Sequence, residues 1–150
     1  MLKVGEKAPD FTLKDQKGGA FRLSSLFGVK NIVLYFYPKD GTAGCTKEAC
    51  AFRDAYDVFI SSGAEIVGIS SDDFEAHKKF ISEHGLPFLL LSDEKNEVRR
   101  LYGAKTAFGL APARVTYVID KQGIIRMAFS AMLSATKHVT EALKIIEALK

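Results

Sequence analysis

The apolar positions of this chain change their period repeatedly, and each change marks an element. Ala8-Pro9-Asp10-Phe11-Thr12-Leu13 reads as extended, Asp15-Gln16-Lys17-Gly18-Gly19 as a turn, and Phe21-Arg22-Leu23 as the returning strand of a hairpin. Ile32 to Tyr37 is unbroken and rich in β-formers, the pattern of a central strand covered on both faces. Pro38 to Gly44 follows as a loop. From Cys45 or Thr46 to about Ser62 the spacing turns helical, through Ala49, Phe52, Tyr56, Phe59 and Ile60, with Gly63 as the C-cap. Glu65–Ser70 predicts the next strand. A helix capped by Asp72 or Asp73 runs to His84 and closes at Gly85. Phe88–Leu91 predicts a short buried strand, Glu94–Tyr102 a short helix, and residues 103–113 a loop. Val115–Asp120 and Ile124–Phe129 flank Lys121-Gln122-Gly123 as a second hairpin. An amphipathic helix with Val139, Leu143 and Ile146 on one face ends the chain. Strand and helix in alternation, then a hairpin and a helix, predict a mixed but mostly parallel sheet flanked by helices.

Composition narrows this to one globular domain over residues 1–150. At 150 residues and 47% hydrophobic, a chain buries roughly 70% of its unfolded surface and needs neither cross-link nor metal to hold a core. The charge of +3 is the difference between 21 basic and 18 acidic side chains, interspersed along the chain, so nucleic acid is not an expected partner. No apolar run approaches the roughly 20 residues that span a bilayer, so no membrane partner is expected either. Met1-Leu2-Lys3-Val4-Gly5-Glu6 has no signal-peptide core and no Arg/Ser bias. A reducing cytosol is the simple expectation, a processed mature form the alternative. The order of elements resembles the thioredoxin-like arrangement, with an added N-terminal hairpin and short helix. In such α/β sheets the working residues lie beyond the C-terminal ends of strands, so the loop after Tyr37 comes first.

That loop ends at Cys45, and Cys50 is the other cysteine of the chain. Cys45 stands where a buried strand gives way to a helix, near free N–H groups and the positive end of the helix dipole. An ordinary thiol is only ~3% thiolate at pH 7; a helix terminus plus one cation can raise that nearly thirtyfold. The competing role is a small apolar filler. If residues 45–50 lie on one helix, five steps give about 7.5 Å of rise and about 140° of net rotation. A disulfide needs Cα atoms within about 6.8 Å. Either the pair never bonds, or the segment unwinds once the first sulfur is oxidised. The spacing is not the C-x-x-C of a disulfide oxidoreductase. A zinc site lacks ligands at motif spacing, since His77, His84 and His138 are scattered over predicted helices and read as surface residues.

Pro38-x-x-x-Thr42-x-x-Cys45 resembles the active-site signature of the peroxiredoxins. The stretch Val33 to Asp40, with Gly44-Cys45-Thr46-Lys47-Glu48-Ala49-Cys50 and Phe52-Arg53-Asp54, is similar to the bacterioferritin-comigratory or Q-type subgroup. So are Ala8-Pro9-Asp10-Phe11, Gly68-Ile69-Ser70 and Arg114 to Asp120. The resemblance implies a thiol peroxidase acting on hydrogen peroxide and organic hydroperoxides. It implies that Cys45 attacks the peroxide and becomes a sulfenic acid, and that Cys50 resolves it as an intramolecular disulfide. Thr42 would hydrogen-bond peroxide and thiolate, Arg114 would stabilise the thiolate and the developing oxygen charge, and Pro38 would shield the site. Thioredoxin or a similar dithiol would be the reductant, no metal, haem or flavin would be needed, and the protein would be a monomer. Q-type relatives also make a plastid a possible compartment. Glu48 and Arg53 read either as a surface pair or as a brace, and Lys39 and Lys47 as solvated. Ala43 departs from the proline that relatives commonly carry, which predicts a looser loop and altered rate without loss of function.

Overall fold

The computed structural model describes residues 1–105 and 111–150; part of the loop expected at 103–113 lies outside them. The strands are β1 (Thr12–Lys14), β2 (Ala20–Arg22), β3 (Asn31–Phe36), β4 (Ala64–Ser70), β5 (Leu89–Ser92), β6 (Val115–Ile119) and β7 (Ile125–Ser130). The helices are α1 (Ala43–Asp54), α2 (Tyr56–Ser61), α3 (Phe74–His84), α4 (Glu97–Leu101) and α5 (Ala135–Ala148), and a 3-10 turn covers Leu23–Leu26.

One sheet runs in the order β2-β1-β5-β4-β3-β6-β7. The fold is the thioredoxin-like α/β arrangement that the element order predicts. Its parallel part is narrower than expected: among the described residues, only β3–β4 and β4–β5 pair in parallel. The N-terminal hairpin and β6–β7 add antiparallel strands on either side. Within the hairpins β1–β2 and β6–β7 the physical reason is connection length, because a tight turn can only return the chain antiparallel.

The central strand β3 is buried at every position, and its side chains alternate between two cores. Val33 and Tyr35, with Tyr37 just beyond, join Phe52, Phe59, Phe80 and Ile146 beneath the helices α1, α2, α3 and α5. Ile32, Leu34 and Phe36 join Phe11, Leu23, Val98 and Tyr102 under α4 and the N-terminal segment. A strand covered on both faces cannot alternate polar and apolar, hence its continuous apolar sequence.

Several boundaries differ from expectation, among them the start of β1 at Thr12 and of α4 at Glu97, and two of them lie on the helix that carries the cysteines. The first helix begins at Ala43, before Cys45, because extended Thr42 (φ −77°, ψ 153°) serves as its N-cap. It also ends early. Ala55 leaves helical geometry (φ −97°, ψ 1°) and separates α1 from α2, after which Tyr56 donates to the Glu65 carboxylate at 3.0 Å. The next helix matches its caps: the Asp73 side chain accepts from the Ala76 N–H, and Gly85 is left-handed at φ 60°.

Candidate active site

β3 delivers the chain to the mouth of the sheet, and Tyr37-Pro38-Lys39-Asp40-Gly41 carries it over to α1. Gly41 has φ 79°, which lets the loop reverse there. The first helical bond runs from the Thr46 N–H to the Thr42 carbonyl at 2.9 Å. The N–H groups of Ala43, Gly44 and Cys45 therefore precede the hydrogen-bonded helix and concentrate positive potential in its first turn. Cys45 lies in that turn and is 1% exposed.

Arg114, directly before β6, reaches the sulfur. Its Nη2 lies 3.5 Å from Cys45 Sγ, its Nη1 donates to Glu48 Oε1 at 2.7 Å, and its Nε donates to the Met132 carbonyl at 3.1 Å. Three nitrogens engaged at once fix the plane of the guanidinium. Burial works against its charge, but Glu48 and Cys45 outweigh that and its pKa is raised. Gly44 makes the approach possible, since a Cβ there would stand 2.9 Å from Nη2.

Glu48 is fully buried, so of its two readings the brace is correct. Burial pushes its pKa up to about 8 despite the pull of Arg114. Its Oε2 has no hydrogen-bond partner among the described residues and lies 3.6 Å from His138 Nδ1. Arg53 instead pairs with Asp54 and donates to the His84 carbonyl at 2.7 Å. Lys39 and Lys47 are exposed as expected.

The expectation that the histidines are surface residues is overturned for two of them. His138 is buried against Phe129, and burial drives its pKa down to about 4. His77 is buried too, clamping the active-site loop to α3. Its Nδ1 lies 2.6 Å from Asp40 Oδ2 and its Nε2 3.0 Å from the Leu91 carbonyl. Asp72 completes that clamp, accepting from the Asp40 N–H at 2.8 Å and from the Ser70 hydroxyl at 2.6 Å. Asp40, Asp72 and His77 are close enough to share a cation, but the polar atoms that face one another are already committed to these bonds. His84 is half-buried.

The other predicted residues take these positions. Pro38 is half-buried directly after β3. Thr42 is exposed, and its hydroxyl donates to the Lys39 carbonyl at 2.9 Å. Cys50 is half-buried further along α1, and both thiols are free. One unbroken helix holds both cysteines, so the geometric bar to a disulfide across five helical steps applies to this state.

Sequence reasoning missed Arg99, His138 and His77, and left Glu48 open. Arg99 is 1% exposed and donates to the carbonyls of Tyr37, Ala104 and Ala113 at 2.6, 2.8 and 2.7 Å. It thereby ties the loop before Cys45 to the residue before Arg114. Burial lowers its pKa to about 10. Glu48 did carry a signal: it shares the helical face of Cys45, Ala49 and Phe52, at spacings of three, four and seven. His77 and His138 carried the same signal, on one helical face with Phe80 and with Ala135, Val139 and Ala142 respectively, whereas two of the three carbonyl partners of Arg99, Tyr37 and Ala113, are remote in sequence.

The AhpC/TSA family pattern matches residues 4–128. Peroxiredoxin Q, chloroplastic, of Sedum lineare is 50% identical over 147 residues, covering 97% of this chain and 78% of that protein. The crystal structure of peroxidoxin BcpB from Mycobacterium tuberculosis superposes with a TM-score of 0.93 at 37% identity, covering 100% of this chain and 99% of that one. Peroxiredoxin Q of Xanthomonas campestris gives a TM-score of 0.80 at 29% identity, with 90% of each chain covered.

Proposed function

We propose a mechanism from one premise: the chain belongs to the AhpC/TSA family, as a thiol peroxidase of the peroxiredoxin Q type. The observation that carries the mechanism is the Arg114 guanidinium held 3.5 Å from a cysteine sulfur in the first turn of a helix. The Cys45 thiolate attacks the terminal oxygen of a hydroperoxide. The O–O bond breaks, the alcohol or water leaves with a proton, and Cys45 becomes a sulfenic acid. Arg114 and the free N–H groups of the first helical turn stabilise charge on the two oxygens as the bond breaks. Donors aimed in advance at such charge are each worth about 10²–10³ in rate. The Thr42 hydroxyl exchanges its bond to Lys39 for one to the peroxide, and Pro38 shields the site from water.

Cys50 then attacks the sulfenic sulfur, water leaves, and a Cys45–Cys50 disulfide forms within one chain. This step requires α1 to unwind between the cysteines. A thioredoxin-like dithiol restores both thiols by exchange. The thiolate supplies the electrons, so no metal, haem or flavin enters. Residues 1–150 act as a single domain and as a monomer, since an intrachain disulfide asks nothing of a second subunit. On compartment, the names of the plant relatives support the plastid alternative over the cytosolic expectation. No described helix is long and apolar enough to cross a membrane.

Intact mass after one equivalent of hydrogen peroxide tests the scheme. The wild type is expected to lose two hydrogens and all free thiol, and Cys50→Ser to hold a sulfenic acid that over-oxidises. A stable Cys45 sulfenic acid beside an unreacted Cys50 thiol in the wild type would overturn the resolving role. With thioredoxin and its reductase supplied, each chain is expected to consume many equivalents of peroxide.

A further inference from the structure

Three titratable groups, Cys45, Glu48 and His138, surround one permanent charge, the Arg114 guanidinium. The hydrogen positions follow from the acceptors. His138 Nε2 faces the Ala131 carbonyl at 2.8 Å, so it carries the ring hydrogen. Nδ1 of the neutral ring then presents a lone pair, which accepts from the Thr116 hydroxyl at 2.8 Å and faces Glu48 Oε2 at 3.6 Å. A lone pair opposite a carboxylate oxygen is repulsive, and a proton between the two removes the conflict. The Tyr35 hydroxyl, buried on β3 with no partner among the described residues, contributes no charge, because burial and then Glu48 hold its pKa well above the ordinary value.

A buried cluster is stable when its charges cancel, and one arginine cancels one anion. While Cys45 is a thiolate, the Glu48–His138 pair must hold a proton. Once Cys45 is a sulfenic acid or a disulfide its charge is gone, and the same arginine accommodates a Glu48 carboxylate. Burial favours the acid form of Glu48 and the neutral form of His138, in agreement with this assignment. Position on the helix adds a second reason. Glu48 lies between Cys45 and Cys50 on α1, in the segment that must unwind for the sulfurs to meet. Forming the disulfide therefore dismantles the burial that keeps Glu48 protonated.

We propose that Glu48, backed by His138, is a positioning residue that stores the proton peroxide reduction consumes, keeping it while Cys45 is a thiolate and yielding it as Cys45 is oxidised. The proposal rests on the Cys45–Cys50 scheme. The balance is complete. Thiolate, Cys50 thiol, Glu48 carboxylic acid and ROOH become disulfide, Glu48 carboxylate, ROH and water. The O–O bond breaks, the S–S bond forms, and the sulfurs give two electrons. The three hydrogens of ROH and water come from ROOH, Cys50 and Glu48. Without Glu48, the last must be drawn from solvent.

The test is a proton count. Reduced protein in weak buffer at pH 7 receives one equivalent of hydrogen peroxide with a pH-indicator dye, and free thiols are titrated in the same sample. The wild type is expected to form its disulfide with no net proton uptake, and Glu48→Gln to take up one proton per disulfide. Equal uptake at equal disulfide yield overturns the proposal and leaves the cysteine scheme standing. A wild type that forms no disulfide overturns both. Should Glu48→Gln fail to fold, the wild type decides alone. Its oxidised-minus-reduced infrared spectrum must lose a protonated-carboxyl band, and persistence of that band refutes the stored proton.

Discussion

Gly44 has no side chain, yet it governs where the Arg114 guanidinium stands. A Cβ at this position would meet Arg114 Nη2 at 2.9 Å. What it meets is the far end of a side chain rather than backbone, so the fold can yield and the guanidinium moves. Gly44 is also inside α1, where alanine is favoured over glycine by about 1 kcal/mol. The two effects point in opposite directions. Gly44→Ala is expected to hold or raise the melting temperature while kcat/KM for peroxide falls by roughly 10²-fold, the worth of one misplaced donor. Unchanged kcat/KM would show that Arg114 does not need its present position. The sequence marked Cys45 and Arg114 through their motifs, but it could not reveal what holds them. Glu48 and Arg114 are 66 residues apart and Arg99 and Tyr37 are 62 apart. A local period can place a polar residue on a buried face, as it does Glu48, but it does not record the remote partner that compensates the burial.

At the scale of the element, the proposed scheme makes α1 both a support and a spring. Its first turn holds Cys45 against Arg114, while a Cys45–Cys50 disulfide would require its middle to open. Strand and helix identities were legible because burial on two faces, or on one face every 3.6 residues, imprints the apolar pattern directly. The start of α1 was not, because Ala43 and Gly44 carry no apolar signal and Thr42 caps through its carbonyl alone. That boundary changes the meaning of Ala43, which is the first helical residue rather than part of a loop. Proline suits this position, since its missing N–H would have no intrahelical partner. Thr42 already has the extended conformation that a following proline requires. Ala43→Pro is therefore expected to stabilise the reduced protein by about 0.4–1 kcal/mol. If opening of α1 begins at its first turn, disulfide formation after the sulfenic acid should slow as well. Stopped-flow fluorescence or thiol quench would time that step beside thermal melts, and a destabilised variant would contradict the N-terminal assignment.

For the whole molecule, the site is assembled from α1, α4, α5 and β6, so opening α1 disturbs contacts far from the cysteines. Glu48, Ala49 and Cys45 are all buried in the closed state. Unwinding also separates Glu48 from Arg114, and a hydrogen bond to a charged group is worth about 1.5–3 kcal/mol. Exposure of the apolar side chains adds about 25 cal/mol for each Å² uncovered. Against this stands the cross-link. Closing only the short segment 45–50 removes about 2 kcal/mol of unfolded-state entropy. The loss is larger than the gain, so this disulfide is expected to destabilise the protein that makes it. For a chain of this length each kcal/mol moves the melting temperature by about 2–4 °C. The oxidised form should therefore melt several degrees below the reduced form, with less helix by far-UV circular dichroism. Calorimetry on both forms, with the disulfide verified by mass, decides the matter. A higher melting temperature on oxidation would mean that α1 keeps its core contacts while the sulfurs bond, which the geometry of five helical steps does not allow.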